Sequence, residues 1–227
     1  MNELRPALDQ ATLKTLYQRA ARRYDRQHRL LTLASDQRGR ELMVRDTVRS
    51  GDRVLDAGCG SGLTTGLAAR AAGPSGFVTG LDLTPGMLDQ ARQKTVAGGA
   101  ALVFAIGDMT ALPFSDESFD SVLSSYSVCP LSDPEFGALE LYRLVRPGGR
   151  LGIAHSAEPQ NALLRRLAGS LEGLLWHLPQ LSLGCRPVEV LPALHRAGAR
   201  VDLDRLIGLP LWPFRVIVTV KPEASAG

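Results

Sequence analysis

Arg53-Val54-Leu55-Asp56-Ala57-Gly58-Cys59-Gly60-Ser61-Gly62 sets a short apolar run against a turn with glycine at every second place. Residues 53–57 read as a buried strand, because a short apolar run bounded by a turn signal suits one. Gly58, Gly60 and Gly62 lack side chains, which allows a tight turn and close approach of backbone to a ligand. Leu63 to Ala72 then reads as a helix, closed by Gly73-Pro74. A strand that runs through glycines into a helix opens an α/β sheet, whose ligands lie beyond the carboxyl ends of its strands. Taken alone, the triplet is equally a plain strand-to-helix turn.

The pattern repeats outward from there. Residues 76–82 form a second strand, and Thr84-Pro85 opens a helix that runs to about Val96. Strands follow at 101–106 and 119–125, then a helix from Asp133-Pro134 to Val145. Arg146-Pro147-Gly148-Gly149 breaks that helix before a strand at 150–155. A helix at 187–197 and strands at 201–207 and 214–220 complete the chain. Alternation at this spacing predicts parallel pairing with right-handed crossovers, hence a doubly wound, Rossmann-like sheet. Ahead of it, residues 8–24 carry Leu13, Leu16, Tyr17, Ala20 and Tyr24 at helical spacing, and a second helix spans 36–49. Both precede the first strand, so residues 1–50 are expected as a helical cap on a sheet core of 51–227, in a single domain.

The ligand is constrained by what the turn lacks. A dinucleotide fingerprint needs a third glycine at position 63, where Leu63 stands. A P-loop needs Lys-Ser or Lys-Thr after the glycines, and neither follows. Asp56 would repel a diphosphate but attracts an ammonium or sulfonium. Asp82 ends the second strand about 20 residues on, where an acid can accept from both ribose hydroxyls; an ordinary helix cap is its plainer reading. Asp108, in Gly107-Asp108-Met109, could accept from an adenine amino group while Met109 packs on the ring; a turn residue is the plainer account.

Composition excludes more than it selects. At 227 residues, 44% hydrophobic and 22% charged, the chain suits one soluble globular domain. No apolar run reaches the roughly 20 residues of a spanning helix, and MNELRPALDQ has no signal-like apolar region. Cys59, Cys129 and Cys185 show neither metal spacing nor an even count, so a reduced, cytoplasmic protein is expected. Arg19, Arg22, Arg23, Arg26, His28 and Arg29 crowd one segment: a solvated helix face, or one attracted to an anionic membrane surface. No stacking aromatics interleave them, and Ser124-Ser125-Tyr126-Ser127 replaces the Asn-Pro-Pro-Tyr type of signature used on extruded bases. A nucleic-acid partner is not expected.

Four motifs in order, VLDAGCGSG, GLDLTPGMLDQAR, GDMTALPFSDESFDSVLSSYSV and RLVRPGGRLGIAH, resemble the class I S-adenosylmethionine-dependent methyltransferases. The likeness spans about residues 24–155, and the subgroup it approaches includes the ubiquinone/menaquinone C-methyltransferases. It implies a seven-stranded, mostly parallel sheet whose last strand is antiparallel, and S-adenosyl-L-methionine as cofactor. Asp56, Gly58 and Gly60 would then hold the methionine end of the cofactor, with Cys59 and Gly62 in the same cofactor-binding turn. Asp82 would hold the ribose, with Leu83 and Met87 beside the adenosine. Asp108 and Met109 would bind adenine, Ser125 would line the site, and Tyr24 would lie near it. Val128-Cys129-Pro130 departs from the Arg-Asn pair of the quinone enzymes, and the stretch from His155 to Pro187 looks somewhat like bacterial phospholipid N-methyltransferases.

For the chemistry, methyl transfer needs alignment and exclusion of water, and a phenol or ring carbon also needs a base. His155 ends the fifth strand and is the first candidate, with Tyr126 the second; each could instead be structural. His177 and His195 are not favoured, and no metal-ligand cluster is present in the sequence. The leucine-rich segment near 160–185 offers Leu163, Leu164, Leu167, Leu171, Leu174, Leu175, Trp176 and Leu178, an apolar face that core packing or a homodimer contact would bury. Alternatively it is a lid over a lipophilic acceptor. The expected function is methyl transfer to a small lipophilic acceptor such as a quinol or phenolic ring. Phosphatidylethanolamine N-methylation and cofactor binding without turnover stand as alternatives.

Overall fold

The computed structural model describes residues 7–94, 98–176 and 184–223, with side chains undescribed at 171, 172 and 174–176. In chain order the elements are α1 (Gln10–Ala20), α2 (Tyr24–Leu31), α3 (Ser35–Thr47), β1 (Arg53–Ala57), α4 (Leu63–Ala72), β2 (Phe77–Asp82), α5 (Pro85–Arg92) and β3 (Ala101–Ile106). They continue with β4 (Phe119–Ser125), α6 (Pro134–Arg143), β5 (Val145–Ser156), α7 (Ala162–Trp176), α8 (Leu191–Arg196), β6 (Arg200–Leu209) and β7 (Trp212–Val220).

The strands form one seven-stranded sheet in the order β3-β2-β1-β4-β5-β7-β6. β1 to β5 pair in parallel, while β7 runs antiparallel to both β5 and β6. The expected doubly wound, Rossmann-like sheet is present. Strand order reverses between β1 and β4, so a crevice opens beyond their carboxyl ends, where such folds bind ligands. Apolar side chains fill both faces. Leu55, Leu151 and Ile153 pack with Leu141, Leu144, Leu191 and Leu194 of the α6–α8 side. Val54, Val78 and Val216 pack with Met43, Val44, Ala68 and Ala69 of the α3–α4 side. Each fully buried Leu or Val contributes roughly 1.5–3 kcal/mol against exposure.

Several boundaries differ from those read in the sequence. The helix expected over 8–24 ends at Ala20 as α1, and a further helix not read in the sequence, α2, starts at Tyr24. Asp25 in the first turn of α2 and His28 and Arg29 in the last complement the helix dipole, which supports a separate helix. α3 lies on the sheet against β4, β5 and β7, rather than outside it. Gly152 permits this, since a methyl there would collide with Thr47 and Met43. α5 ends at Arg92, and residues 95–97 lie outside the described residues. β5 begins at Val145, so Arg146-Pro147-Gly148-Gly149 is absorbed into it as an irregularity, with a register shift against β4 between Phe119 and Ser121.

The leucine-rich segment does form a helix, α7. Leu163 and Leu167 are exposed and Ala168 is buried. His177, Leu178 and the rest of 177–183 lie outside the described residues, as do the side chains of Leu171, Leu174, Leu175 and Trp176.

Candidate active site

At the tip of β1 the chain turns left-handed three times, with φ of 70° at Gly58, 53° at Gly60 and 83° at Gly62. The amides of Gly58 and Cys59 both donate to the Leu81 carbonyl, at 2.8 and 2.9 Å, which fastens the loop to β2. A side chain on Gly58 would strike Ser127, and one on Gly62 would meet Ala91 of α5 at 2.9 Å. One on Gly60 would meet nothing within 4 Å, so the loop faces open space there.

That space is a cavity of about 410 Å³ along the strand tips. Of the residues expected at the site, Tyr24, Gly58, Gly60, Asp82, Leu83, Met87, Asp108, Met109, Ser125 and Tyr126 line it. Asp56, Cys59, Gly62 and His155 do not. Cys59 is buried against the Gly80 backbone, where burial and the Asp56 charge push its thiol pKa up. Gly62 caps α4 and packs on α5.

The three strand-tip carboxylates have different surroundings. Asp56 is fully buried, accepts from the Thr65 hydroxyl at 2.6 Å, and has Oδ1 without a protein partner. Burial raises its pKa to about 6 against the opposing Thr65 bond and the nearby Arg40. Asp82 takes the Gly60 amide on Oδ2 and the Thr84 amide on Oδ1, each at 2.8 Å. Burial outweighs both bonds and raises its pKa. Asp108 feels some burial, but the amide and hydroxyl of Thr110 and the Gln10 amide hold its pKa below the ordinary value.

Neither expected base is placed for proton transfer in the cavity. Side chains alternate along β5, so His155 shares the face of Leu151 and Ile153, directed at the α6–α8 side. It is fully buried, Nδ1 lies 2.9 Å from the Ser156 carbonyl, and burial lowers its pKa. Tyr126 does border the cavity, with φ of 58°, but its hydroxyl donates to the Asp36 carbonyl at 3.1 Å. Burial raises that phenol well above its ordinary pKa.

Sequence reading missed the polar framework behind the cavity. Arg40, 5% exposed, donates through one nitrogen to Thr64 at 2.8 Å and Ser125 at 2.6 Å, and its charge lies 3.8 Å from Asp36. Asp36 also accepts from Thr32 at 2.7 Å and approaches His28 at 3.0 Å. Burial pushes its pKa up, yet His28, Thr32 and Arg40 together bring it down to about 2. His28 in turn stacks on Tyr24, whose ring borders the cavity. Asp25 ties α2 to the glycine loop by accepting from Ser61 and pairing with Lys94 at 2.8 Å. α1 roofs the cavity, held by Gln18 accepting from the Gly86 amide at 2.9 Å and by Gln10 donating to Asp108. The Asp36 contacts with Thr32, His28 and Arg40 are local to α2 and α3, but the bonds that tie this framework to the cavity, Arg40 to Thr64 and Ser125 and Asp25 to Ser61 and Lys94, join residues distant in sequence.

The donor set fits a cationic nucleoside ligand. Asp82 and Asp108 line the cavity at adjacent strand tips, Asp56 lies buried behind the glycine loop, and that bare loop faces the same space.

The comparisons with known proteins agree with that geometry. Residues 55–153 match the family model described as a methyltransferase domain. The chain is 33% identical over 153 residues to a demethylmenaquinone methyltransferase of Lactobacillus johnsonii, covering 66% of this chain and 63% of that one. It is 34% identical over 155 residues to a protein of the same name from Clavibacter sepedonicus, covering 68% and 62%. The chain thus spans less than two thirds of the length of these relatives. Among solved structures, magnesium protoporphyrin IX methyltransferase from Synechocystis, with bound SAH, superposes with a TM-score of 0.66 at 18% identity over 94% of this chain and 100% of that one, a likeness of fold. The matched domain, the seven-stranded sheet and the strand-tip acids together place this chain in the class I S-adenosylmethionine-dependent methyltransferase family.

Proposed function

We propose that the chain transfers the methyl group of S-adenosylmethionine to a lipophilic acceptor of the quinol or phenolic type. The observation that carries this reading is the composition of the cavity. Its lining combines Gly58, Gly60, Asp82 and Asp108 with Leu8, Leu13, Tyr17, Pro130 and Leu131, and Leu8, Leu13 and Pro130 gather about Gly184. The polar groups suit a nucleoside, and the apolar ones suit a greasy ring. The names borne by the curated relatives point to an acceptor of that class.

In this reading Asp82 accepts from the ribose hydroxyls with the lone pairs left free by Gly60 and Thr84, since each carboxylate oxygen has roughly two. Met87, Leu83 and Met109 pack beside the adenosine, and Asp108 accepts from the adenine. Backbone at Gly58 and Gly60 holds the methionine end, with the Asp56 charge behind it. When bound, the cofactor supplies a methyl group on a sulfonium leaving group. The chain's own contribution is then alignment and exclusion of water, through the α1 roof and the Ser125–Ser127 wall. Neither His155 nor Tyr126 is assigned a proton-transfer role, so a quinol acceptor enters as its anion, the proton having left to solvent before the methyl is transferred. That arrangement serves an amine acceptor equally well, which keeps phosphatidylethanolamine as the second reading.

Labelled cofactor offered with a reduced naphthoquinone lacking the ring methyl, with phosphatidylethanolamine and with soluble amines tests this. Label in the quinol product is expected. Label only in an amine would overturn the acceptor class; cofactor binding with no transfer to any of them would indicate a binding module.

A further inference from the structure

The end of α2 and the turn after it present Leu30, Leu31 and Leu33 to solvent at 70%, 55% and 66% exposure. Isolated surface leucines are ordinary, but these are not isolated. The tip of the β6–β7 hairpin lies against the same turn: Ile207 abuts Gly39, and a side chain on Gly208 would meet Ser35 at 3.4 Å. This brings exposed Leu209, with half-buried Leu211 and Trp212, to the same corner.

Two further observations say what covers it. Leu33 and Ala34 are consecutive left-handed residues, with φ of 49° and 61°. Such backbone is disfavoured for a residue with a side chain, and here it holds an apolar group in water. Within α2, Arg26 precedes Arg29 by three residues and Leu30 by four, so cations and a leucine share one face. Arg22, Arg26, Arg29 and Arg38 are exposed and form no ion pair among the described residues. The acids nearest in sequence are engaged elsewhere, Asp25 with Lys94 and Asp36 with His28 and Arg40.

We propose that this corner, the α2–α3 turn with the β6–β7 hairpin tip, docks on an anionic lipid bilayer. Leucines and Trp212 enter the headgroup boundary while the arginine rim meets lipid phosphates. α2 is eight residues, about 12 Å long. Its first residue, Tyr24, borders the cavity and its last, Leu31, belongs to the patch. The docking goes beyond the proposed methyl transfer, and its test does not read activity.

The full chain is sedimented with vesicles of phosphatidylcholine mixed with phosphatidylglycerol, and with phosphatidylcholine alone. Binding to the mixed vesicles only, weakening with salt, is expected. Leu30→Ser/Leu33→Ser and Arg26→Glu/Arg29→Glu should each weaken it by at least about tenfold, with thermal melts and cofactor affinity unchanged. If the leucine variant melts early, the arginine variant and the salt dependence still decide. Absence of binding to anionic vesicles, or equal binding by the arginine variant, would overturn the proposal. So would a concentration-dependent dimer that the leucine substitutions dissolve, which would make a second copy the occupant.

Discussion

The Gly60 amide donates to Oδ2 of Asp82 over 2.8 Å, tying the glycine loop after β1 to the tip of β2. One carboxylate therefore shapes the loop and, in the proposed reading, holds the ribose. Asp82→Ala should weaken binding of S-adenosylmethionine by about 1.5–3 kcal/mol, the usual cost of losing hydrogen bonds to a charged group. Asp82→Asn should not rescue it. Only one of its two side-chain heads accepts, so its amide would face the Gly60 or the Thr84 N–H donor. Titration calorimetry measures both variants, and native-like affinity in either removes Asp82 from the site.

Asp56 gives a prediction of opposite sense for stability. Unfolded, it loses its proton near 3.8; folded, it keeps it to about pH 6. Between those values the folded state binds more protons, so this group makes stability fall as pH rises, by about 3 kcal/mol once neutral pH is reached. Asp56→Asn can still accept from Thr65 and carries no charge to bury. It should therefore be more stable than the parent at pH 7 and no more stable near pH 4, while binding the cofactor less well. Urea denaturation at the two pH values checks this; equal stability at pH 7 would contradict it.

Arg40 is a buried cation shared by Thr64, Ser125 and Asp36. Arg40→Met leaves the Asp36 carboxylate buried with less compensation, which typically costs about 3–5 kcal/mol. For a chain of this size the midpoint of thermal unfolding should drop by roughly 6–20 °C. Arg40→Lys should recover little, because an ammonium lacks the planar fork that spans several acceptors. Calorimetry that shows less than a degree of change for the methionine variant would mean the network contributes nothing.

What the sequence revealed and what it hid divide along a physical line. Asp82, Asp108 and the glycines were legible because a parallel α/β topology fixes where strand tips gather, whatever the side-chain details. Arg40 and Asp25 were not legible, since their partners Ser125 and Lys94 are joined only by folding. Arg40 itself reads as one more charge on a helix. His155 was placed at the correct strand end, but on a pleated strand the neighbouring residue points the opposite way. The shared face with Leu151 and Ile153 carries its ring to the α6–α8 side.

That orientation gives the last prediction. Burial lowers the His155 pKa from 6.5, so the folded ring stays neutral where the unfolded ring has taken up a proton. The folded state then binds fewer protons as pH falls below 6.5, and the stability this group contributes at neutral pH is lost in that direction. The slope opposes that of Asp56 over the lower part of the range, so the two groups partly offset one another in the parent chain. His155→Gln removes one of them and should leave stability rising as pH falls from about 6 toward 4. Because the ring does not line the cavity, kcat for methyl transfer and its pH profile should stay within about threefold of the parent, well short of the 10²–10⁴-fold that loss of a general base costs. Denaturation across pH and a rate profile on the same variant supply both readouts. A collapse of kcat with unchanged stability would return His155 to the reaction.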